Sequence, residues 1–340
     1  MSEQITDQMS GGPGGRTVAV TGASGFVGRH CIRTLLHHGW RVRALVRDRG
    51  KAREVLPEGG EAQGLEVVVG DVFEAPARAA LVRDCSAVVH AIGIRRELPP
   101  DIRFDKLHVQ AAKVMIDECV ARGVPRFALI SALGVRANAS TEYARTKWEA
   151  ETLLRRSGLD WTILRPSIVH GVDGEFMAMV KGWVLGNSPP FVFIPYFTRL
   201  KDIAGFPPTP GFESARVAPV AVEDVAAAVA TSLETRDAVG EVYCLSGPDE
   251  LSWPEMLAAV RDRLPLAKAN KPIIGIPGYI GWIGAMKAKL LGVASLVPFG
   301  TSEPILAMED SVASREKASA HLGYTPRPFV DTMAGYVEHL

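Results

Sequence analysis

The chain has 340 residues, with 38 Lys plus Arg set against 38 Asp plus Glu, so its formal net charge is zero. That balance argues against a general nucleic-acid binder and against anchoring to acidic lipid by overall charge. The length suffices for one large domain or two smaller ones with a sizeable core, so no disulfide or metal staple is required.

Residues 1–15, "MSEQITDQMSGGPGG", are polar and Gly-rich and lack the apolar run of a signal peptide, so a disordered lead-in is expected there. Strands are expected at "TVAVT" (Thr17 to Thr21), "RVRALV" (Arg41 to Val46), "LEVVV" (Leu65 to Val69), "AVVHA" (Ala87 to Ala91), "RFALIS" (Arg126 to Ser131) and "DWTILR" (Asp160 to Arg165). Helix-like segments lie between them, among them "VGRHCIRTLLHHG", "FDKLHVQAAKVMIDECVARG" and "EYARTKWEAETLLRRSG", each ending on a glycine suited to a left-handed cap: Gly39, Gly123 and Gly158. Strand alternating with helix means right-handed crossovers and an α/β, doubly wound parallel sheet over residues 16–166. Residues 167–340 read as a smaller substrate lobe, from which about 215–245 ("RVAPVAVEDVAAAVATSLE", "EVYCLS") returns to the main sheet. Cys31, Cys85, Cys119 and Cys244 have no paired zinc spacing, and buried free thiols in a reducing compartment are expected. No window of 18 charge-free apolar residues appears, which places the protein in the cytoplasm.

"VTGASGFVGRH" sets Gly22, Gly25 and Gly28 between the first strand and the first helix, with Ser24, Phe26 and Val27 completing the turn. Glycines there allow a tight turn, close approach of a pyrophosphate and close helix–strand packing, while the free N–H groups of the helix start favour an anion. The strand–turn–helix context favours dinucleotide binding over an ordinary turn. At the end of the second strand, where an acid would receive the ribose hydroxyls of NAD, stands Arg47, with Arg49 and Lys51 behind it. A guanidinium facing a 2′-phosphate makes charge-assisted bonds of about 1.5–3 kcal/mol, so NADP(H) is favoured over NAD(H) by about 10- to 100-fold. Asp48 turning inward, or a solvated cluster of mixed sign, is the competing arrangement. Asp71 and Val72 follow the third strand, the acid placed to accept from an adenine amino group or to cap the next helix. Ala91, Ile92 and Gly93 after the fourth strand are small enough to let a cofactor pass close to the backbone.

Tyr143 and Lys147 stand four apart in "YARTK", one turn apart on one helix face. Ser140 and Thr141 before them suit the N-terminal cap. In order, "TGASGFVG", "GDV", "HAIG", "YARTK" and "ILRPSIVHG" resemble the short-chain dehydrogenase/reductase superfamily, and "VAPVAVEDVAAAV" and "LGYTPRP" extend the likeness to its extended and atypical members. "ISALG" before "YARTKWEAE" is similar to the branch of the 39-kDa NADPH-binding subunit of respiratory complex I. The resemblance implies a Rossmann-type sheet and a general acid/base Tyr143, its phenol brought below the usual value near 10 by the adjacent Lys147 ammonium, which also holds the nicotinamide ribose. It implies a hydroxyl just beyond the fifth strand to polarise a carbonyl; Ser131 is the candidate but lies about two residues early, the expected position falling near Leu133. It also implies Pro166, Ser167 and Ile168 as cover for the nicotinamide carboxamide, with His170 more often structural than catalytic.

Two later segments are unusually apolar: Phe176 to Phe197, charged only at Lys181, and Pro272 to Gly300, charged only at Lys287 and Lys289. Interrupted by Gly and Pro, they read as loops and short helices that line a cleft for a small hydrophobic substrate. They also suit a peripheral contact with the inner face of a membrane or with a protein complex. An NADP(H)-dependent oxidoreductase acting on a lipid-like carbonyl or alcohol is the leading expectation. A catalytically silent NADPH-binding assembly subunit is the alternative, and a nucleotide-sugar epimerase or dehydratase stands behind both.

Overall fold

The computed structural model describes residues 16–201, 211–265, 271–291 and 299–340, so the expected lead-in at 1–15 and part of the second apolar segment lie outside it. The first six strands form where β-branched runs stand: β1 (Thr17–Thr21), β2 (Arg41–Val46), β3 (Leu65–Val69), β4 (Ala87–His90), β5 (Arg126–Ile130) and β6 (Asp160–Pro166). With Glu241–Leu245 they make a seven-stranded sheet in the order (241–245)-β6-β5-β4-β1-β2-β3. Every pairing is parallel; Val18 of β1, for example, pairs with Val42 on one side and Ala87 on the other. Central strands of a parallel sheet are covered on both faces, which is why they read as unbroken apolar runs rather than alternating ones.

Helices α1 (Phe26–His37), α2 (Arg49–Val55), α3 (Ala75–Val82), α4 (Ala111–Arg122) and α5 (Glu142–Arg155) provide the crossovers. Two cores result. Val18 and Val20 pack with Ile32, Leu35 and the later helix residues Ala226 and Val229 on one face. Ala19 and Val88 pack with Leu81, Met115, Phe127 and Leu154 on the other. Gly39, Gly123 and Gly158 have φ of +80°, +68° and +76°, the left-handed conformation that ends a helix and costs an L side chain.

The remaining helices are α6 (Glu175–Leu185), α7 (Val222–Glu234), α8 (Trp253–Arg261), α9 (Gly278–Leu290) and shorter turns after them. A second sheet, in the order (273–277)-(194–200)-(212–214), carries the lobe. The lobe has its own core of Met177, Val180, Ile194, Met256, Val260, Phe329 and Met333. The apolar segments expected as loops and short helices are therefore more regular than their Gly and Pro content suggests: helix α6 and strand Ile194–Leu200 occupy the first, strand Ile273–Pro277 and helix α9 the described part of the second. Strand order reverses between β1 and β4, and the crevice at their carboxyl ends is where open α/β sheets hold ligands.

Candidate functional site

Beyond β1 the chain turns at Gly22, whose φ is +69°. A Cβ there would stand 2.6 Å from the Ala91 carbonyl oxygen and 2.9 Å from the Ile92 nitrogen, so the two strand ends approach backbone to backbone. Gly25 N–H donates to Gly22 O at 2.9 Å, closing the turn. A Cβ on Gly28 would fall 2.8 Å from the Gly22 carbonyl carbon and closer still to its oxygen. Ser24 and Gly25 are exposed, Phe26 and Val27 half-buried, and no side chain caps the start of α1. The result is an uncapped helix start beside a cradle that side chains would fill, which fits the pyrophosphate of a dinucleotide.

Arg29 braces this loop. Its Nε donates to Asp173 Oδ2 at 2.7 Å, one terminal nitrogen to Asp173 O at 2.8 Å and the other to Ser24 O at 3.4 Å. His30 also meets Asp173, at 3.0 Å, so the phosphate turn is tied to the segment after β6. Sequence reasoning passed over this anchor because nothing in the one-dimensional spacing couples residues 143 and 144 apart.

At the end of β2, Asp48 does not turn inward: it caps α2, its Oδ1 accepting from Lys51 N at 3.1 Å. Arg47 beside it is exposed and, among the described residues, makes no hydrogen bond or ion pair. Asp71 accepts from Phe73 N through Oδ1 at 3.0 Å in a tight turn, and Glu74 rather than Asp71 is the N-cap of α3. Val72 is buried with Leu45, Ala77 and Leu81.

Helix α5 starts at Thr141, whose hydroxyl accepts from Ala144 N at 3.3 Å, while Ser140 instead donates to Glu309 at 3.1 Å. Glu309 also takes a two-pronged bond from Arg136, both prongs 2.9 Å, which clips the loop before α5 to the lobe. Along the inner face of α5 lie Tyr143, Lys147 and Glu151, at successive turns. Tyr143 is half-buried, its ring edge-on to Phe104 at 5.8 Å and to His108 at 5.4 Å, and its hydroxyl has no hydrogen-bond partner among the described residues. Burial pushes its pKa up to about 12, with Arg95 pulling the other way. The expected lowering by Lys147 is thus corrected: desolvation of the phenol outweighs neighbouring charge, and the cation that acts on it is Arg95.

Lys147 is buried and donates from Nζ to Ile130 O at 3.0 Å. A Cβ on Gly93 would stand 2.9 Å from that Nζ, so Gly93 keeps room for the ammonium as well as for any ligand. Burial lowers the Lys147 pKa to about 8, and Glu151 partly restores it. Glu151 is wholly buried, accepting from Ser131 Oγ at 2.6 Å, from Arg165 at 2.8 and 2.6 Å, and from Arg155 at 2.9 Å. Ser131 therefore spends its hydroxyl proton on a buried carboxylate, a correction to its expected task of polarising a substrate carbonyl.

His108, in a π-helical turn ahead of α4, joins the two halves of the site. Its Nδ1 lies 2.9 Å from the Thr146 hydroxyl, and its Nε2 lies 3.1 Å from Ile94 O and 3.2 Å from Ile94 N, so the ring is held from both sides and the tautomer decides which nitrogen donates. Burial, with Lys147 nearby, keeps this imidazole neutral, its pKa lowered to about 2. His90 beneath it bonds Thr21 at 2.9 Å and is likewise held near 3 by burial.

Pro166 and Ser167 are buried; Ser167 Oγ bonds Ser311, and Ile168 O accepts from Val220 N at 2.9 Å. His170 is a core residue, fully buried against Phe329 and 2.9 Å from the Tyr336 hydroxyl, which accounts for it structurally. A pocket whose lining includes Phe104, Arg95, Arg96, Glu97, Ala285 and Phe299 adjoins Tyr143 through the Phe104 ring. No group of three or more potential metal ligands is found among the described residues, and none of their helices is long and apolar enough to cross a membrane. Cys31, Cys85 and Cys119 are buried and free, Cys244 half-buried.

A sequence model described as NAD(P)H-binding matches residues 22–178, and one described as male sterility protein matches 131–229. A ceramide reductase of Caulobacter vibrioides is 29% identical over 211 residues, covering 62% of this chain and 58% of that protein. A mitochondrial NADH dehydrogenase [ubiquinone] 1 alpha subcomplex subunit 9 of Dictyostelium discoideum is 25% identical over 76% of this chain and 67% of its own length. The chain thus spans about six-tenths to two-thirds of these relatives. The solved UDP-glucose 4-epimerase of Thermus thermophilus with NAD superposes at a TM-score of 0.67 with 23% identity, over 95% of this chain and 98% of that one, a likeness of fold alone. The glycine cradle and these matches show an NAD(P)-binding domain of the extended short-chain dehydrogenase/reductase type at residues 22–178, with homologues in the branch of the complex I 39-kDa subunit.

Proposed function

We propose that this protein is an NADP(H)-dependent oxidoreductase that reduces a hydrophobic carbonyl, with Tyr143 as proton donor. The observation that carries it is the Tyr143 hydroxyl, without a hydrogen-bond partner among the described residues, on a ring 5.8 Å from Phe104, which also lines a pocket with Ala285, Ala288 and Phe299 and with Arg95, Arg96 and Glu97. Gly22, Gly25 and Gly28 with the N–H groups of Phe26 and Val27 would hold the pyrophosphate, Asp71 and Val72 the adenine end, and the exposed Arg47 guanidinium the 2′-phosphate. Ala91, Ile92 and Gly93 would flank the nucleotide, Pro166 and Ile168 would cover the carboxamide, and Lys147, which donates to Ile130 O, would have further N–H groups for the ribose. When bound, the nicotinamide supplies the hydride. A phenol with a pKa near 12 is fully protonated at neutral pH, so Tyr143 is set to donate to a carbonyl oxygen as negative charge develops on it. Arg95, whose charge already favours the phenolate, steadies Tyr143 once the proton has left. A relative named as a ceramide reductase supports a lipid-like substrate.

The test is NADPH oxidation against carbonyls of increasing alkyl length. Turnover is expected to rise with chain length and to collapse in Tyr143→Phe while NADPH affinity stays within about two-fold; unchanged turnover in that variant removes the reading. Arg47→Ala is expected to weaken NADPH by about 10-fold or more and leave NADH alone. The second reading, a silent NADPH-holding subunit, is favoured by one observation: the Ser131 hydroxyl donates to Glu151 and so is not free to assist Tyr143. It expects tight NADPH binding with no turnover on any substrate.

A further inference from the structure

Helix α9 is built inside out. Its inward face is Gly278, Gly281, Ala285 and Ala288, all small and buried. A Cβ on Gly281 would run into the Phe197 ring and one on Gly278 into Met308, so the close seating depends on that smallness. The large apolar side chains point outward instead: Tyr279 and Ile280 are each 50% exposed, Trp282 40%, Ile283 42%, Met286 37% and Leu290 80%. A helix that packs with its small residues and shows its large apolar ones to solvent is unlike the usual surface helix, whose apolar stripe faces the core.

We infer that α9 lies on the surface of an anionic lipid bilayer. Between Pro272 and Ser302 the sequence has no Asp or Glu, and on α9 the exposed Lys287 gives the apolar face a positive charge complementary to acidic headgroups. Trp282 and Tyr279 are side chains suited to the headgroup boundary, apolar in body and polar at the tip. At 13 residues α9 is about 20 Å long, too short to span and long enough to lie in the interface plane. The neutral net charge of the whole chain is no objection, because attraction of this kind acts locally, within a Debye length of about 8–10 Å. The opposite face of the same helix supplies Ala285 and Ala288 to the pocket beside Phe104, and Phe104 touches Tyr143. Resting on the function proposed above, this makes α9 the wall between a membrane-borne carbonyl compound and the proton donor.

The experiment is co-flotation of the full chain with vesicles of phosphatidylcholine alone or with 30% phosphatidylglycerol as an arbitrary test composition. Binding is expected with the anionic vesicles, about five-fold weaker in Lys287→Gln and more than 10-fold weaker in the double variant Trp282→Gln, Ile283→Gln. Both changes sit on exposed side chains, and unchanged NADPH affinity checks that the fold is intact. No flotation with either vesicle, or flotation indifferent to the double variant, overturns the inference. So does a concentration-dependent dimer in gel filtration that the double variant abolishes without any lipid binding, because a second copy would then cover the helix. Lipid binding with no carbonyl turnover sinks the proposed function and leaves the membrane surface standing; turnover without lipid binding does the reverse.

Discussion

Replacing Gly28 by alanine is the sharpest test of the cradle, because general helix physics and this structure give opposite signs. In an open helix position Gly→Ala is stabilising by up to about 1 kcal/mol, since alanine loses less backbone freedom on folding. At Gly28 the added carbon would stand 2.8 Å from the Gly22 carbonyl carbon, 3.2 Å from Ala23 Cα and nearer still to the Gly22 oxygen. Backbone cannot swing aside as a flexible side chain can, so relief requires a shift of about 1 Å in the Gly22 carbonyl or in the start of α1, at an overpacking cost of ~1–3 kcal/mol. The same shift loosens the Gly25 N–H bond to Gly22 O, worth about 1 kcal/mol more. Net of helix propensity, the variant is expected to be destabilised by about 1–3 kcal/mol, and its NADPH affinity to fall at least 10-fold as the turn amides leave their positions. Gly284→Ala in α9 is the control, since a Cβ there meets nothing within 4 Å, and it is expected to be neutral to stabilising. Denaturant midpoints and NADPH titration by calorimetry read both effects. A Gly28→Ala protein as stable as Gly284→Ala, with wild-type nucleotide affinity, would refute the geometry from which the site was argued.

Two further outcomes follow from the buried face of α5. The Lys147 pKa is lowered to about 8, below the 10.5 of an unperturbed lysine. Its ammonium is therefore lost in the folded state as pH rises through 8, and NADPH affinity should fall over that interval. As far as this group is concerned, stability rises with pH between 8 and 10.5, because the unfolded chain still binds the proton there. Lys147→Met should bind NADPH at pH 7 as weakly as wild type does at pH 10, without the inflection, in titrations across that range. Glu151→Gln keeps the shape but removes the charge that faces Arg165 and Arg155. Because these arginines reach solvent in part, stability should drop by about 2 kcal/mol rather than the 3–5 of a fully buried pair, measured as a denaturant midpoint, and the Lys147 inflection should move below pH 8.

Strands and the phosphate turn were legible because their signals are local: a run of β-branched residues between turns forms one strand whatever surrounds it, and Gly22 needs its φ of +69° from the turn itself. The i, i+4 spacing of Tyr143 and Lys147 also needs only a helix. What the one-dimensional pattern hides is which group reaches whom across the fold. Asp48 reads as a candidate ribose ligand until the start of α2 shows it capping Lys51 N. Arg95, Phe104 and His108 carry no motif, yet three of the groups that act on Tyr143 come from this stretch, brought there by the turn after β4. Arg29 and Glu309 fix the site from 144 and 173 residues away, through Asp173 and Arg136. The apolar character of α9 was visible in composition, but its reversed orientation was not, because a helix that is apolar on every side has no periodicity to read.

The pKa of Tyr143 shows why the missing knowledge was physical rather than a matter of pattern. From sequence, an ammonium one turn away argues for a lowered phenol, and the argument holds only if both groups stay in water-like surroundings. Here Lys147 turns to the Ile130 carbonyl and Glu151 lies one turn beyond it, so its field is partly cancelled before it reaches the phenol, while aromatic walls at Phe104 and His108 strip water from the ring. Desolvation then wins, and the group that pattern casts as a general acid or base is held in its acid form at neutral pH. A site arranged this way keeps a proton at hand for a carbonyl oxygen at neutral pH. Opening that wall at Phe104 with alanine should therefore lower the phenol pKa toward 10, read as a shift to lower pH of the alkaline limb of reductive turnover.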